Sequence, residues 1–177
     1  MKINLASGQR PFKTWTNIDV QEQGYQVEIV ADAKKIPLDD KVADIIVAHH
    51  LVEHIAVHEL QTYIAEWFRI LKNGGKLAVF VPDLKKLDQA WIDGKVDTYI
   101  HNVNTYGAWQ SSNYDLHKWG YDKQELVDRV SGWDGNHKVF EWQTREITRD
   151  VLNEPLYEGS DCVLDWWILA IEFTKQI

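Results

Sequence analysis

The feature that most constrains this chain is a succession of short apolar runs, each closed by a small or polar residue. Ile3–Ala6 ends at Ser7-Gly8, Asn17–Val20 turns near Asp19, Val27–Ala31 stops at Asp32, and Ala43–Ala48 runs into His49 and His50. Near-continuous apolar runs of this length suit strands buried on both faces of a parallel sheet. Leu60, Ile64, Trp67, Phe68 and Leu71 then recur at helical spacing, which predicts a helix over Glu59–Lys72. Asn73-Gly74-Gly75 is expected to end that helix, because glycine accepts the left-handed conformation beyond a helix. Lys76–Val81 reads as a further buried strand closed by Pro82-Asp83. Residues 84–125 are less regular, Gln124–Val130 suggests a short helix, and Val139–Thr144 and Trp166–Thr174 read as closing strands. The pattern predicts an α/β fold: a three-layer sandwich about a mostly parallel sheet, with an antiparallel C-terminal strand. The connections Gly8–Thr16 and Gln21–Gln26 fall short of the dozen or so residues a helical crossover needs, so the N-terminal helices are expected to be reduced.

The chain of 177 residues is long enough for one domain, expected to span 1–177. Its single cysteine, Cys162, excludes an internal disulfide and a cysteine-rich zinc site. The longest apolar stretch, around Val163–Phe173, is broken by Asp165 and Glu172 and falls short of the ~20 residues of a membrane span. A soluble cytoplasmic protein without membrane contact is expected. The net charge of −8 opposes broad contact with nucleic acid, where affinity comes from lysines and arginines neutralising phosphates. It leaves room for a small-molecule substrate and for a homodimer.

Polar residues after consecutive buried strands matter because ligands of open parallel sheets bind at the carboxyl edge. Any one of them is equally well a helix cap; their joint placement is more telling. Gly8 lets backbone N–H groups approach a ligand. Asp19, at the next strand end, is an acceptor suited to two ribose hydroxyls, and Asp32-Ala33 could reach an adenine amino group. A site lined by acids suits a cationic ligand better than a pyrophosphate, which prefers glycines and a helix N-terminus.

Taken in order, Asn4-Leu5-Ala6-Ser7-Gly8, Asn17-Ile18-Asp19-Val20, Ala31-Asp32-Ala33 and Ile36-Pro37-Leu38-Asp39-Asp40 resemble the opening of a class I, Rossmann-like, S-adenosylmethionine-dependent methyltransferase. Ala43–Ile55 resembles that family's fourth strand and the turn after it. Arg69–Leu77 resembles its segment R-x-L-K-P-G-G-x-L with Asn73 for proline, and Val81-Pro82-Asp83-Leu84 a strand ending found in a compact subgroup of predicted small methyltransferases. The resemblance covers residues 1–87 well. It implies S-adenosylmethionine as cofactor, with Leu5, Ala6, Ser7 and Gly8 against the methionine part, Asp19 and Val20 at the ribose, Asp32 and Ala33 at the adenine, and His49, His50 and Leu51 near the sulfonium. The departure is Ala6, which stands where the family usually has the first glycine of Gly-x-Gly.

On the acceptor side the resemblance points to Leu84–Gly120, which carries Tyr106-Gly107, Trp109, Asn113 and His117. His117 is the expected catalytic base, since a neutral imidazole exists near pH 7, and Tyr106 is expected to orient a hydroxyl- or amine-bearing acceptor. Two alternatives stand beside this reading. One is a non-catalytic binding module that keeps the fold, suggested by Ala6 and the short loops. The other is a zinc hydrolase, because His50-Leu51-Val52-Glu53-His54 spells H-x-x-E-H. That motif needs both histidines on one helix, whereas His50 follows a strand, and nothing downstream marks a third ligand.

Overall fold

The computed structural model describes residues 1–22, 24–108, 114–132 and 139–176. Seven strands form one sheet: β1 (Lys2–Leu5), β2 (Thr16–Asp19), β3 (Ile29–Val30), β4 (Ala43–His49), β5 (Leu71–Pro82), β6 (Trp142–Glu146) and β7 (Ile168–Lys175). Their order is β3-β2-β1-β4-β5-β7-β6. The pairs β2–β3, β1–β2, β1–β4 and β4–β5 are parallel, and β7 runs antiparallel to both β5 and β6. The order reverses beside β1, so the ends of β1 and β4 flank the crevice where such sheets take ligands.

No helix joins β1 to β2 or β2 to β3 among the described residues. Asn17 replaces the missing helix. Its side chain, fully buried, accepts from Asn4 Nδ2 (2.9 Å) and from the Phe12 amide (2.7 Å). Its amide nitrogen donates to the Phe12 carbonyl (3.1 Å) and to Glu28 Oε2 (3.0 Å). One side chain thus folds both short connections onto the sheet. Phe12 and Trp15 then cover that face together with Ile45, Val47, Phe80 and Tyr157.

The opposite face is covered by α1 (Leu60–Ile70) and α4 (Lys123–Ser131). Leu60, Ile64, Trp67 and Ile70 of α1 are all fully buried, and Trp67 Nε1 donates to the Ala33 carbonyl at 2.8 Å. The helix stops at Ile70, earlier than expected, because Leu71 turns extended and pairs with Ala43. The glycines therefore do not cap α1. Gly74, at φ 74°, lies inside β5, where the register slips past Ala43. At Gly75 a Cβ would stand 2.8 Å from the Lys72 carbonyl oxygen, so a side chain does not fit that bulge.

Two helices occupy the stretch expected to be irregular: α2 (Leu84–Ile92) and α3 (Thr98–Tyr106). Asp83 and Asp97 cap them, accepting from the Lys86 and Ile100 amides. His101 bonds Asp88 at 2.7 Å and stacks on Trp91, which pins α3 to α2. A short helix, α5 (Arg149–Leu152), follows β6. The closing strand expected from Val139 starts at Trp142. Val139 and Phe140 instead send their amides to the Ser131 carbonyl at the end of α4. No helix among the described residues is long and apolar enough to cross a membrane.

Candidate active site at the carboxyl edge

The first loop leaves β1 through two left-handed residues, Ala6 (φ 50°) and Gly8 (φ 46°). Asp19 holds that shape: one carboxylate oxygen accepts from the Gly8 amide (2.9 Å) and the other from the Gln21 amide (3.0 Å). Each oxygen retains a lone pair, so the carboxylate can still accept from a diol. Ser7 Oγ is buried and has no hydrogen-bond partner. An orphaned hydroxyl inside a loop whose backbone is bent open fits a ligand expected to occupy that loop. Val20, beyond Asp19, is exposed.

Asp32 stands just beyond β3. Its Oδ1 accepts from the Lys34 amide at 3.0 Å, and the Lys34 ammonium lies 3.5 Å from Oδ2. Tyr63 of α1 faces Asp32; burial, then the Asp32 charge, pushes the phenol up to about 12. Ala33 is fixed by Trp67 through its carbonyl. The sequence offered no sign that Tyr63 belongs here, since its link to Asp32 is purely tertiary.

At the end of β4, His49 and His50 meet edge to face at 4.7 Å. His49 packs on Phe80, and its Nε2 accepts from the Val163 amide at 3.5 Å. Burial, followed by the neighbouring His50, lowers the His49 pKa to about 4, so this ring is neutral near pH 7. His50 adopts φ 53°, a left-handed turn that costs a non-glycine residue about 1 kcal/mol or more. That turn aims Nδ1–H at Glu53 Oε1, 2.8 Å away, while Trp167 lies against the ring. Leu51 leads into a single turn of 3-10 helix, Val52–His54.

Glu53 is 1% exposed. Burial alone would raise its pKa, but the His50 bond and the fields of His50, His54 and His117 hold it below the ordinary range. His54 and His117 meet edge to face at 4.7 Å. The Glu53 carbonyl accepts from the Lys118 amide at 2.7 Å, tying the 117–121 segment to the turn. His117 thus lies beside the turn after β4, and its burial lowers its pKa. Tyr106 reaches His117 only through its carbonyl, which accepts the His117 amide, and its ring is 55% exposed. Between them Gly107 (φ 97°) passes so near Asp115 that a Cβ would overlap its carbonyl. Trp109 and Asn113 lie outside the described residues.

The zinc-peptidase arrangement does not form. His50 sits on the turn after β4, its partner His54 ends a 3-10 turn, and the Glu53 carboxylate is bonded to His50. No continuous helix carries the two histidines.

Residues 9–79 match the family model described as a methyltransferase domain. Comparison with the curated proteins gives no match. Among solved structures, an S-adenosylmethionine-dependent methyltransferase of Thermotoga maritima, named a possible histamine N-methyltransferase, is similar at 17% identity with a TM-score of 0.60. That match covers 99% of this chain and 82% of the other. One from Archaeoglobus fulgidus is similar at 15% identity and TM-score 0.58, covering 98% and 85% of the two chains. The 1,6-didemethyltoxoflavin-N1-methyltransferase of Burkholderia thailandensis, solved with bound 1,6-didemethyltoxoflavin and S-adenosylhomocysteine, is similar at 12% identity and TM-score 0.54. It is covered over 71% of its length, against 99% of this chain. At such identities the likeness is one of fold.

Proposed function

We propose, from the premise that the chain is a class I S-adenosylmethionine-dependent methyltransferase, that it methylates a small hydroxyl- or amine-bearing acceptor. The observation that carries this reading is the first loop: left-handed at Ala6 and Gly8, tied by Asp19, with the Ser7 hydroxyl buried and unpartnered. When bound, S-adenosylmethionine supplies an electrophilic methyl group on a sulfonium. The chain's task is then to hold two reactants in line, which accounts for most of the rate in such transfers.

In this reading Leu5, Ala6, Ser7 and Gly8 cradle the methionine part. Asp19 and Val20 meet the ribose, and Asp32 and Ala33 the adenine. His49, neutral near pH 7, and His50 and Leu51 wall the reacting end without adding positive charge there. On the acceptor side His117 takes the proton that a hydroxyl or ammonium must lose. Its Nδ1–H is spent on the Asn104 carbonyl at 3.0 Å, which leaves the lone pair on Nε2. Tyr106 orients the acceptor from the rim. The enzyme is read as soluble and cytoplasmic, acting on a small molecule, with no membrane partner and room for a homodimer; its net charge of −8 opposes broad contact with nucleic acid.

Calorimetry with S-adenosylhomocysteine tests the premise of the pose. Asp19→Ala removes the loop tie and the ribose acceptor together and should weaken binding at least tenfold. Unchanged affinity overturns the ribose assignment, and no binding by the unaltered protein at millimolar ligand overturns the function.

A further inference from the structure

Beneath the β4 turn the fold collects a donor set that methyl transfer does not require. Glu53, His54 and His117 each offer a ligand atom, all within 4.8 Å of one another. His54 Nδ1–H donates to the Leu116 carbonyl (3.1 Å) and His117 Nδ1–H to the Asn104 carbonyl (3.0 Å). Both rings are thereby fixed in the tautomer that keeps the Nε2 lone pair free. Backbone carbonyls orienting imidazoles through the far nitrogen are the usual support of a metal-bound histidine.

The carboxylate is the independent observation. Glu53 is 1% exposed; Oε1 is oriented by His50, and Oε2 is buried with no hydrogen-bond partner. A buried carboxylate oxygen left without a partner is costly unless a cation or a donor satisfies it. Two further orphans, Thr105 Oγ1 and Tyr121 Oη, belong to residues that line one small pocket together with Glu53 and His117.

From this geometry we infer that Glu53, His54 and His117 bind a divalent transition-metal ion of the zinc type. Two imidazoles and one carboxylate suit zinc and leave its fourth position open to water or an acceptor oxygen. The set is not that of H-x-x-E-H. His50 moves from ligand to supporting partner of the carboxylate, and the third ligand arrives from a segment 63 residues along the chain, His54 to His117. The ion would clasp the 117–121 segment to the β4 turn. One nitrogen of His117 cannot both hold the ion and take a proton, so the metal role and the base role are alternatives.

Metal-stripped full-length protein titrated with zinc against a chromophoric chelator separates them. One equivalent should bind. His54→Ala and His117→Gln should each weaken that binding at least 100-fold, while the control His58→Ala at an exposed position leaves it unchanged. His50→Ala should weaken it by roughly 10- to 100-fold, as loss of a supporting partner does. Circular dichroism on every variant, and calorimetry with S-adenosylhomocysteine on all but His50→Ala, show that the variants are folded. Cobalt in place of zinc should give the visible absorption of a four-coordinate site. No stoichiometric zinc bound by protein that still binds S-adenosylhomocysteine overturns the inference and leaves the methyltransferase reading standing. Zinc binding as tight in a folded variant carrying both His54→Ala and His117→Gln as in the unaltered protein overturns it as well.

Discussion

Ala6 carries a conformation that alanine tolerates poorly. A left-handed φ of 50° sets its methyl against its own carbonyl, at about 1–2 kcal/mol. Glycine would relieve that strain but lose more entropy on folding. Ala6→Gly should therefore raise stability by about 1 kcal/mol or less, seen as a rise of about 2–4 °C in Tm for a chain this size. A lowered Tm would show that the methyl group packs usefully. At this scale the strand-end residues Ser7, Asp19, Asp32, His49 and His50 were legible, because each directly follows an apolar run. Asp83 was equally conspicuous and proved to cap α2. Tyr63 and the unspent oxygen of Glu53 were not legible, since both depend on packing between elements distant in sequence.

The elements show how the connection Ala6–Trp15 can join parallel strands without a crossover helix. The Asn17 side chain takes the place of that helix with five hydrogen bonds, accepting from Asn4 and the Phe12 amide and donating to the Phe12 and Trp15 carbonyls and to Glu28. Asn17→Ala should destabilise the protein by roughly 2–4 kcal/mol, because it strands several buried donors and acceptors. Urea unfolding measures this, and a loss under ~0.5 kcal/mol would mean the loops hold by apolar packing alone. The loss of helices here was legible from connection length. The asparagine that compensates was hidden, since it reads simply as a polar start to a strand. The pair α2 and α3 was missed for a related reason: Trp91, Ile92, Tyr99 and Ile100 leave apolar surface exposed and blur the helical stripe. The end of α1 was misjudged because Gly74 shapes a strand bulge, a role that composition cannot distinguish from a cap.

Across the whole molecule the three strands β5, β7 and β6 at one end of the sheet share one buried charge. Glu172 of β7 is 1% exposed and accepts from Arg145 of β6 (2.7 Å) and from the Tyr157 hydroxyl (2.8 Å), with the Lys76 ammonium of β5 at 2.9 Å. Burial alone would raise its pKa, yet these three partners hold it below the ordinary 4.5. The folded state thus binds the proton less readily than the unfolded chain. Stability from this network is full above the ordinary value and is lost as pH falls below it. Urea midpoints should drop between pH 6 and pH 3 more steeply in the unaltered protein than in Glu172→Gln. Parallel slopes would remove the network from the account. In sequence Glu172 was visible merely as an interruption of an apolar run. The mostly parallel sheet and its antiparallel C-terminal strand were legible from the succession of apolar runs, whereas the histidine cluster needed the chain to return.

The open sheet has two edges, and both bear on the company the protein keeps in a crowded solution. Strand β3 is two residues long, too short to template another strand. Strand β6, Trp142–Glu146, presents Gln143, Thr144, Arg145 and Glu146 to solvent, and Lys123 closes over its end through Glu146. Charged, short borders of this kind resist edge-to-edge aggregation, so self-association, where it occurs, must proceed through helices or loops and leave the backbone ladder of the sheet unextended.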